Sequence, residues 1–331
     1  MAKPSVFVSR VIPDEGLSLL REHFDLTVWP HDRPPTREEL IEQGRSKDAL
    51  VTLLTEKVDG AVLAALPTVR IVANVAVGFD NLDVAAGTAA GVVMSNTPGV
   101  LDETTADLAF ALLMATARRI VEADKLLRSG TWGGWGIMQM LGHDVHHATL
   151  GIVGFGRIGR CVARRASGFS MTVLYSDAMA APPAVERELG VRRVPLDELL
   201  SHADFVSVHV PLLPETRHLI DAAALRKMKK NACLVNTSRG PVVDEAALVQ
   251  ALRDGVIAGA GLDVYEFEPK VSSELVGMNN VVLLPHIASA SYATRGKMAE
   301  IAARNLIAFF AGETPPTALN PEVAARAHAK A

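Results

Sequence analysis

The fold of this chain is decided by residues 150–159, LGIVGFGRIG, where an apolar run enters a G-x-G-x-x-G turn and continues into a helical pattern. In such a turn Gly154 permits the sharp reversal, Gly156 lets the backbone approach a pyrophosphate, and Gly159 lets the helix lie close to the sheet. The helix N-terminus then faces the phosphates with free N–H groups and the positive end of its dipole. The motif therefore predicts a dinucleotide site.

An acidic residue stands where a ribose-binding carboxylate is expected. Asp177 comes 18 residues after Gly159, at the end of the next β-rich run, close to the usual spacing of about 20 residues. A carboxylate there accepts hydrogen bonds from a ribose 2′-hydroxyl and repels a 2′-phosphate. No Arg or Lys occurs between Ser176 and Val185, so these residues favour NAD over NADP. The alternative is that Asp177 is a solvated loop acid.

Short β-rich runs alternate with helical patterns along the whole chain, which indicates an α/β fold with parallel sheets. A first unit is expected to end near Pro98 and a second near residue 289. Residues 103–127 form the longest helical pattern, and a last one covers 293–311. The predicted strands are 6–8, 26–28, 49–54, 69–75, 92–94, 149–153, 172–175, 205–208, 233–236, 259–264 and 281–284.

Length and composition narrow the class of protein. A chain of 331 residues suggests two domains. Its 33 Lys and Arg against 37 Asp and Glu give a net charge of −4, without the basic footprint of a nucleic-acid binder. No apolar run approaches the roughly 18 residues of a membrane helix, so we expect no membrane span and a cytoplasmic location. Cys161 and Cys233 lack metal-ligand spacing and are expected to be reduced core residues.

Three further segments each place a chemically capable residue just after a predicted strand: Arg239, Glu268 and His286. In open α/β sheets the ligand crevice lies at the carboxyl ends of the strands, so the three side chains are expected to converge. The planar fork of Arg239 suits a carboxylate or carbonyl oxygen, while His286 can donate a proton and Glu268 can hold the imidazole. Each residue also has a purely structural interpretation. Arg239 could be a surface ion-pair partner, Glu268 a solvated loop acid and His286 a structural histidine.

With these residues the sequence resembles the D-isomer-specific 2-hydroxyacid dehydrogenases, and within them the glyoxylate/hydroxypyruvate reductase and 2-ketogluconate reductase branch. The resemblance covers nearly the whole chain, most clearly residues 69–320. The motifs that carry it are AVGFDNLD (76–83), NTPG (96–99), ETTAD (103–107), the glycine turn, NTSRG (236–240), GLDV (261–264) and LPHIASA (284–290).

The resemblance implies two Rossmann-like domains with parallel sheets, the nucleotide-binding domain being inserted into a discontinuous substrate-binding domain. The expected substrate-binding domain comprises residues 1–100 and 290–331, and the NAD-binding domain comprises 101–289 with a dimerisation arm at about 119–149. Residues 132–141 hold Trp132, Trp135, Met138 and Met140 without a clear period. Because an exposed apolar patch of this kind usually marks an interface, a homodimer is expected.

The family also implies a reaction, the NAD(P)H-dependent reduction of small 2-keto acids (glyoxylate, hydroxypyruvate) to D-2-hydroxy acids, and roles for particular residues. Arg239, Glu268 and His286 are implied as the catalytic residues. The substrate would be bound by Val77 and Gly78 through their N–H groups, by Arg239 and by Ser289. The expected cofactor pocket consists of Thr104, Gly154, Gly156, Arg157, Ile158, Gly159, Asp177, Pro211, Thr237, Asp263 and His286.

Several of these assignments have structural alternatives. Thr104 could cap the long helix, Arg157 could be a solvated helix residue, and Asp263 could be a turn acid at a strand end. The chain also departs from its branch, since reductases there often have basic residues after the second nucleotide-domain strand and use NADP, whereas Asp177 has no basic neighbour in sequence. Ala288 stands where many relatives have Gly.

Two alternatives to a glyoxylate/hydroxypyruvate reductase remain open. A phosphoglycerate dehydrogenase-like enzyme would use the same residues, and a dinucleotide-sensing protein of the same fold would bind partners without catalysis. A formate dehydrogenase is disfavoured, because those enzymes lack the Glu partner of the His, which this chain has at Glu268. The three histidines of the segment GHDVHH (142–147) could suggest a metal site. The segment leads straight into a predicted strand, however, and hydride transfer needs no metal, so no metal site is predicted.

Overall fold

Five short strands at the beginning of the chain form a parallel sheet in the computed structural model, which describes residues 3–328. They are β1 (Ser5–Val8), β2 (Asp25–Val28), β3 (Ala49–Thr52), β4 (Ile71–Asn74) and β5 (Val93–Ser95). Their order is β2-β1-β3-β4-β5, a doubly wound arrangement whose switch point lies between β1 and β3. Every residue of β3 and β4 is buried, as expected for a parallel sheet covered on both faces.

The helices of this unit come from both ends of the chain. They are α1 (Asp14–His23), α2 (Arg37–Gly44), α3 (Gly60–Ala65), α4 (Val84–Ala90), α13 (Tyr292–Phe310) and α14 (Pro321–His328). Helices α1 and α13 lie in close contact, because a Cβ atom on Gly16 would lie 2.6 Å from the Cβ of Ala299. The returning segment is tied to β5, where the Met94 N–H donates to Asn320 Oδ1 over 2.8 Å.

A seven-stranded sheet is built by the middle of the chain. Its strands are β6 (Thr149–Val153), β7 (Thr172–Ser176), β8 (Val191–Arg193), β9 (Phe205–Val208), β10 (Cys233–Asn236), β11 (Gly259–Leu262) and β12 (Val281–Leu283). All pairs are parallel, in the order β12-β11-β10-β9-β6-β7-β8, which is the Rossmann order extended by one strand. Strand β8 was missed by the sequence prediction, because two of its three residues are exposed arginines and supply no apolar run.

The helices around this sheet are α5 (Asp102–Ala117), α6 (Ile120–Arg128), α7 (Arg157–Ser167), α8 (Pro183–Leu189), α9 (Leu196–His202), α10 (Ala222–Lys227), α11 (Glu245–Arg253) and α12 (Ser273–Gly277), with a 3₁₀ turn at Gly240–Val242. Alternate residues of β10 enter different apolar clusters, Cys233 and Val235 one and Leu234 the other. The two faces of the sheet are therefore both buried. Cys233 and Cys161 are free and buried, as predicted.

The predicted helix over 103–127 is wrong, since the chain forms two helices there. The carbonyl of Ala117 accepts a hydrogen bond from the His143 N–H over 2.8 Å, and Arg119 adopts a left-handed φ of 53°. A Cβ on Gly142 would lie 2.3 Å from the Ala117 oxygen, so the returning chain crosses the helix at this point. The crossing ends α5 and a new helix, α6, begins at Ile120.

The chain divides into two compact units, one running to Leu101 and resuming at Ala290, the other continuous from Asp102 to Ser289. The second is thus inserted into the first. The predicted α/β class, with parallel sheets in two Rossmann-like units, is confirmed. Within residues 3–328, no helix combines the length and the apolar character needed to cross a membrane.

Candidate active site

The glycine turn follows β6 directly and has the geometry that a bound pyrophosphate needs. Gly154 has a φ of +94°, and a Cβ there would lie 2.7 Å from the backbone of His209. A Cβ on Gly159 would lie 2.3 Å from the Gly154 oxygen, so helix and turn are in close contact. A Cβ on Gly156 would meet no atom within 4 Å, which leaves open space in front of the N-terminus of α7.

Asp177 lies at the end of β7 and faces this turn. Its Oδ2 accepts a hydrogen bond from the Phe155 N–H over 2.7 Å, and its Oδ1 accepts one from the Met179 N–H over 2.9 Å. Asp177 has no basic neighbour in sequence, but the fold brings one close to it. Arg193, at the end of the unpredicted strand β8, donates from Nη2 to the carbonyl oxygens of Asp177 (2.8 Å) and Ala178 (3.1 Å).

Arg239 projects from a turn that begins at the end of β10. The buried Asn236 fixes this turn, because its Oδ1 accepts from the N–H and hydroxyl of Ser238 and its Nδ2 donates to the carbonyl of Arg239 over 3.0 Å. Gly240 is required here, since a Cβ would lie 1.9 Å from the carbonyl carbon of Tyr265. This close approach brings the turn of Arg239 against the loop that follows β11.

The loop after β11 supplies Glu268, and the turn after β12 supplies His286. His286 Nδ1 and Glu268 Oε2 lie 2.9 Å apart, while Glu268 Oε1 accepts from the Tyr265 N–H over 3.0 Å. Tyr265 also ties the two segments together, because its hydroxyl donates to the carbonyl of Leu284 over 2.8 Å. The side chains of His286 and Glu268 are 25% and 31% exposed, so the pair is half-buried and accessible.

The electrostatics of this group keep Glu268 ionised. Burial by itself raises the pKa of Glu268, but the hydrogen bond and charge of His286, with the charge of Arg239, outweigh it and hold the pKa below its usual range. Because Arg239 acts on the carboxyl in this way, the three predicted catalytic side chains share one electrostatic environment.

Asp263 makes the contacts of a turn acid at a strand end, which was the structural alternative to its assignment to the cofactor pocket. The residue is fully buried, and its two carboxylate oxygens accept from the N–H groups of Ile287 and Ala288, each over 2.8 Å. Its carbonyl accepts from the His286 N–H over 2.9 Å. Burial raises the pKa of Asp263, while the two N–H donors oppose that rise. His286 has a left-handed φ of 55°, uncommon for a non-glycine residue, and Asp263 fixes the turn in which it lies.

Comparison with known proteins agrees with this geometry. Residues 110–288 match the model of the D-isomer specific 2-hydroxyacid dehydrogenase NAD-binding domain. The glyoxylate reductase of Korarchaeum cryptofilum is 56% identical over 323 residues, which is 97% of each chain. The chain belongs to the D-isomer-specific 2-hydroxyacid dehydrogenases. The family predicted from the motifs is thereby confirmed, and its cofactor class is NAD(P).

Solved structures of similar sequence have the same fold. A crystal structure of a Thermus thermophilus protein superposes with a TM-score of 0.89 at 41% identity, covering 95% of this chain and 99% of that one. An NADPH-dependent glyoxylate/hydroxypyruvate reductase of Sinorhizobium meliloti, in complex with NADP and malonate, gives a TM-score of 0.85 at 34% identity over 97% and 98% of the two chains.

The other residues that the family implies for the cofactor pocket lie on several elements of the inserted unit. Arg157 and Ile158 begin α7. Thr104 is the third residue of α5, so it does not cap that helix. Thr237 follows β10 and is buried, with an Oγ1 that has no hydrogen-bond partner in the described chain. Pro211, the last residue implied for the cofactor pocket, is exposed after β9. Ser289, which the family implies as a substrate-binding residue, is half-buried at the end of the unit.

Val77 and Gly78 lie in the other unit, on the loop after β4. Asn96 Nδ2 donates to the Val77 carbonyl over 2.7 Å, and Asn74 Nδ2 donates to the Gly78 carbonyl over 3.3 Å. Holding the carbonyls in this way fixes the orientation of the peptide groups in the loop. Asn81, at the end of the same loop, anchors it by donating to the Glu56 carbonyl over 2.9 Å.

Glu56 belongs to a buried network that sequence reasoning missed entirely. Its side chain has no exposed surface and accepts from Ser9 Oγ at 2.6 Å, the Leu53 N–H at 2.7 Å and Thr55 Oγ1 at 2.6 Å. These residues follow β1 and β3, and Asn81 links them to the loop after β4, so the network joins three strand ends of the five-stranded sheet. No sequence pattern predicts this network, because each of its residues taken alone is an ordinary loop residue.

The histidine-rich segment at 142–147 does not form a cluster of ligands. The nearest acid–base approach in it is 3.8 Å, between His146 Nε2 and Asp144 Oδ1, at an exposed position. Across the described part of the chain, residues 3–328, no group of three His, Cys, Asp or Glu side chains is placed to hold a metal ion.

Proposed function

We propose that this protein reduces small 2-keto acids, glyoxylate and hydroxypyruvate above all, to D-2-hydroxy acids. The observation that carries the proposal is the hydrogen-bonded pair of His286 and Glu268, with Arg239 beside it, at the sheet edge that also carries the glycine turn. An acid–base imidazole, a fixed carboxylate and a guanidinium are the groups that reduction of a 2-keto acid requires. The curated relatives named glyoxylate reductase support this choice of substrates.

The residues present fit a nicotinamide dinucleotide. The open space at Gly156 and the free N-terminus of α7 suit the pyrophosphate, Asp177 suits the adenosine ribose, and the orphaned Thr237 hydroxyl suits a polar group of the cofactor. When bound, the reduced nicotinamide supplies the hydride to the substrate carbon.

The chain's own residues bind the keto acid and deliver the proton. Arg239 binds the carboxylate or carbonyl oxygen through its planar fork and draws electron density away from the carbonyl carbon. Glu268 holds His286 through Nδ1, so the proton to be transferred sits at Nε2 and passes to the carbonyl oxygen as it gains negative charge. The N–H groups of Val77 and Gly78 are assigned to the substrate carboxylate, and Ser289 to the substrate wall.

The same proposal includes a preference for NADH over NADPH. Asp177 would have to be desolvated against a 2′-phosphate, which is unfavourable for two negative charges. The structural relative from Sinorhizobium meliloti is NADPH-dependent, so similarity to such relatives does not decide the cofactor. The proposed preference for NADH therefore rests on Asp177. Replacing Asp177 by Ser and Ala178 by Arg is expected to narrow or invert it. Equal wild-type efficiency with the two cofactors would show that the carboxylate does not face the ribose.

We also propose a homodimer formed through residues 119–149. Helix α6 buries none of its residues, and the segment after it exposes Trp135 and Met138 to 80% and 75%. Such a surface indicates an interface. Sedimentation at micromolar concentration is expected to give twice the chain mass of 35.2 kDa, and a monomer would contradict the proposal. A cytoplasmic location stays a prediction.

A steady-state panel tests the activity. Glyoxylate, hydroxypyruvate, 2-ketogluconate and a phosphorylated hydroxypyruvate are assayed with NADH and with NADPH. Turnover of glyoxylate or hydroxypyruvate with NADH is the expected result. Turnover of the phosphorylated substrate alone would instead indicate a phosphoglycerate dehydrogenase-like enzyme. Cofactor binding without turnover of any substrate would indicate a dinucleotide-sensing protein.

A further inference from the structure

We propose that Arg193 is a second determinant of cofactor choice, which binds the 2′-phosphate of NADPH and so gives this NADH-preferring enzyme measurable activity with NADPH. The inference rests on the proposed function in its assignment of Asp177 to the adenosine ribose. It adds a residue from a different strand, which lies beyond the residues that the glycine motif and Asp177 single out.

The position of Arg193 follows from strand pairing. β8 pairs in parallel with β7, and Arg193 stands opposite Tyr175, two residues before Asp177. The Arg193 side chain then reaches over the end of β7, where Nη2 donates to the carbonyls of Asp177 and Ala178. Its charge is thereby placed beside Asp177, and in NADP-binding proteins of this fold an arginine near the ribose accommodates the 2′-phosphate.

The Arg193 guanidinium has further N–H groups besides those that donate to the two carbonyls. Both hydrogen bonds to the carbonyls use Nη2, and the side chain belongs to an exposed residue. A guanidinium carries five N–H donors in a planar fork that matches phosphate oxygens. The Nε and Nη1 edge is therefore suited to an anion, while Nη2 anchors the side chain beside the ribose.

The environment of Asp177 reduces the repulsion that a 2′-phosphate would meet. Both carboxylate oxygens already accept hydrogen bonds from backbone N–H groups, those of Phe155 and Met179. These donors and the nearby Arg193 offset part of the negative charge. Asp177 still favours a ribose hydroxyl, but the site as a whole is less hostile to a phosphate than the sequence around Asp177 predicts.

The neighbouring Arg192 provides a matched control on the same strand. Its side chain points to the other face of β8 and pairs with Glu198, with Nη1 and Oε1 3.0 Å apart. Arg192→Gln removes the same charge from the same exposed edge without touching the end of β7. Arg193→Lys keeps the charge of Arg193 but loses the planar fork.

The experiment measures binding of adenosine 2′,5′-bisphosphate and of AMP by calorimetry, with no keto acid present. Arg193→Gln is expected to weaken the bisphosphate by at least about tenfold and to leave AMP nearly unchanged. The Lys variant should lie between wild type and Gln, and Arg192→Gln should match the wild type. In parallel, kcat/KM with NADPH should fall in Arg193→Gln while kcat/KM with NADH holds.

Two results would overturn the assignment. Equal weakening of AMP and the bisphosphate in Arg193→Gln would mean that Arg193 only stabilises the end of β7, and no weakening of either would mean that it faces away from the ribose. Because the binding arm needs no substrate, a failure to turn over keto acids would count against the proposed function and leave the test of Arg193 intact.

Discussion

Two histidines follow strands of the seven-stranded sheet, His209 after β9 and His286 after β12, and their surroundings give them different chemistry. His209 Nε2 lies 2.7 Å from Ser207 Oγ, its Nδ1 is buried without a partner in the described chain, and burial lowers its pKa to about 4. His286 is half-buried and faces the ionised Glu268. A position at the carboxyl edge is therefore not sufficient for acid–base work, which also needs a charged partner.

The sharpest test of this contrast is removal of the imidazole that has the charged partner. His286→Ala is expected to lower kcat for reduction by roughly 10²–10⁴-fold, because the alkoxide would form without a positioned proton donor. Binding of NADH, followed by its fluorescence, should change little. Near-normal turnover in this variant would mean that another group is the acid and that the assignment of His286 is wrong.

Removal of the guanidinium beside the pair is expected to have the next largest effect. Arg239→Ala should lower kcat/KM by about 10²-fold, with both KM and kcat affected, because the side chain binds the substrate and polarises its carbonyl. Arg239→Lys should rescue poorly, since an ammonium lacks the planar fork. A change confined to KM would limit Arg239 to binding, and full rescue by Lys would show that charge alone suffices.

The carboxylate partner should govern the pH profile rather than abolish turnover. Because the pKa of Glu268 lies below its usual range, the ionised pair persists as the pH falls from neutral and is lost only below that lowered pKa. Reduction should therefore extend into mildly acidic solution and fall only as Glu268 itself takes up a proton.

In Glu268→Gln kcat for reduction should fall by about tenfold, because a neutral amide no longer holds the imidazole by charge. The acidic limb that belongs to the carboxylate should also be lost, since an amide does not titrate. Rates measured from pH 4 to 8 with NADH and glyoxylate check this. An unchanged profile with a uniformly lower rate would leave Glu268 a purely structural contact.

The sequence predicted most of the elements that carry this site. Apolar runs located eleven of the strands, and the rule that ligands gather at the carboxyl ends of strands brought Arg239, Glu268 and His286 together. The contacts that position them were not predictable. The carboxylate of Asp263 reaches the N–H groups of Ile287 and Ala288 across 24 and 25 residues, and no local pattern encodes such a pairing.

The missed features share a physical cause, which is that tertiary contacts decide them. Strand β8 forms because β7 offers it an edge, although its own residues are largely polar, and Arg193 reaches the end of β7 only as a consequence. The break between α5 and α6 depends on the chain crossing at Gly142, 25 residues beyond Ala117. His209 was missed because its burial, and not its residue type, sets its character.

Replacement of His209 is expected to have the smallest effect on turnover. It should instead change how the free energy of unfolding depends on pH. His209→Gln keeps a hydrogen-bonding group near Ser207 and should change kcat by less than about threefold, since the ring neither carries a proton at neutral pH nor has a charged partner.

The folded-state pKa of His209, about 4, lies below the ordinary 6.5. The unfolded chain therefore binds the extra proton between these values, and the stability gained by burying a neutral ring is full above pH 6.5 and lost as the pH falls towards 4. The free energy of unfolding of the wild type should drop relative to His209→Gln by about 2–3 kcal/mol across that window, as measured by urea denaturation. Ser207→Ala is the matched control, because it removes the hydrogen bond and keeps the titratable ring, so it should retain the wild-type dependence on pH. Parallel stability curves for the wild type and His209→Gln would mean that the ring of His209 titrates as freely as that of an exposed histidine, and the contrast with His286 would then rest on Glu268 alone.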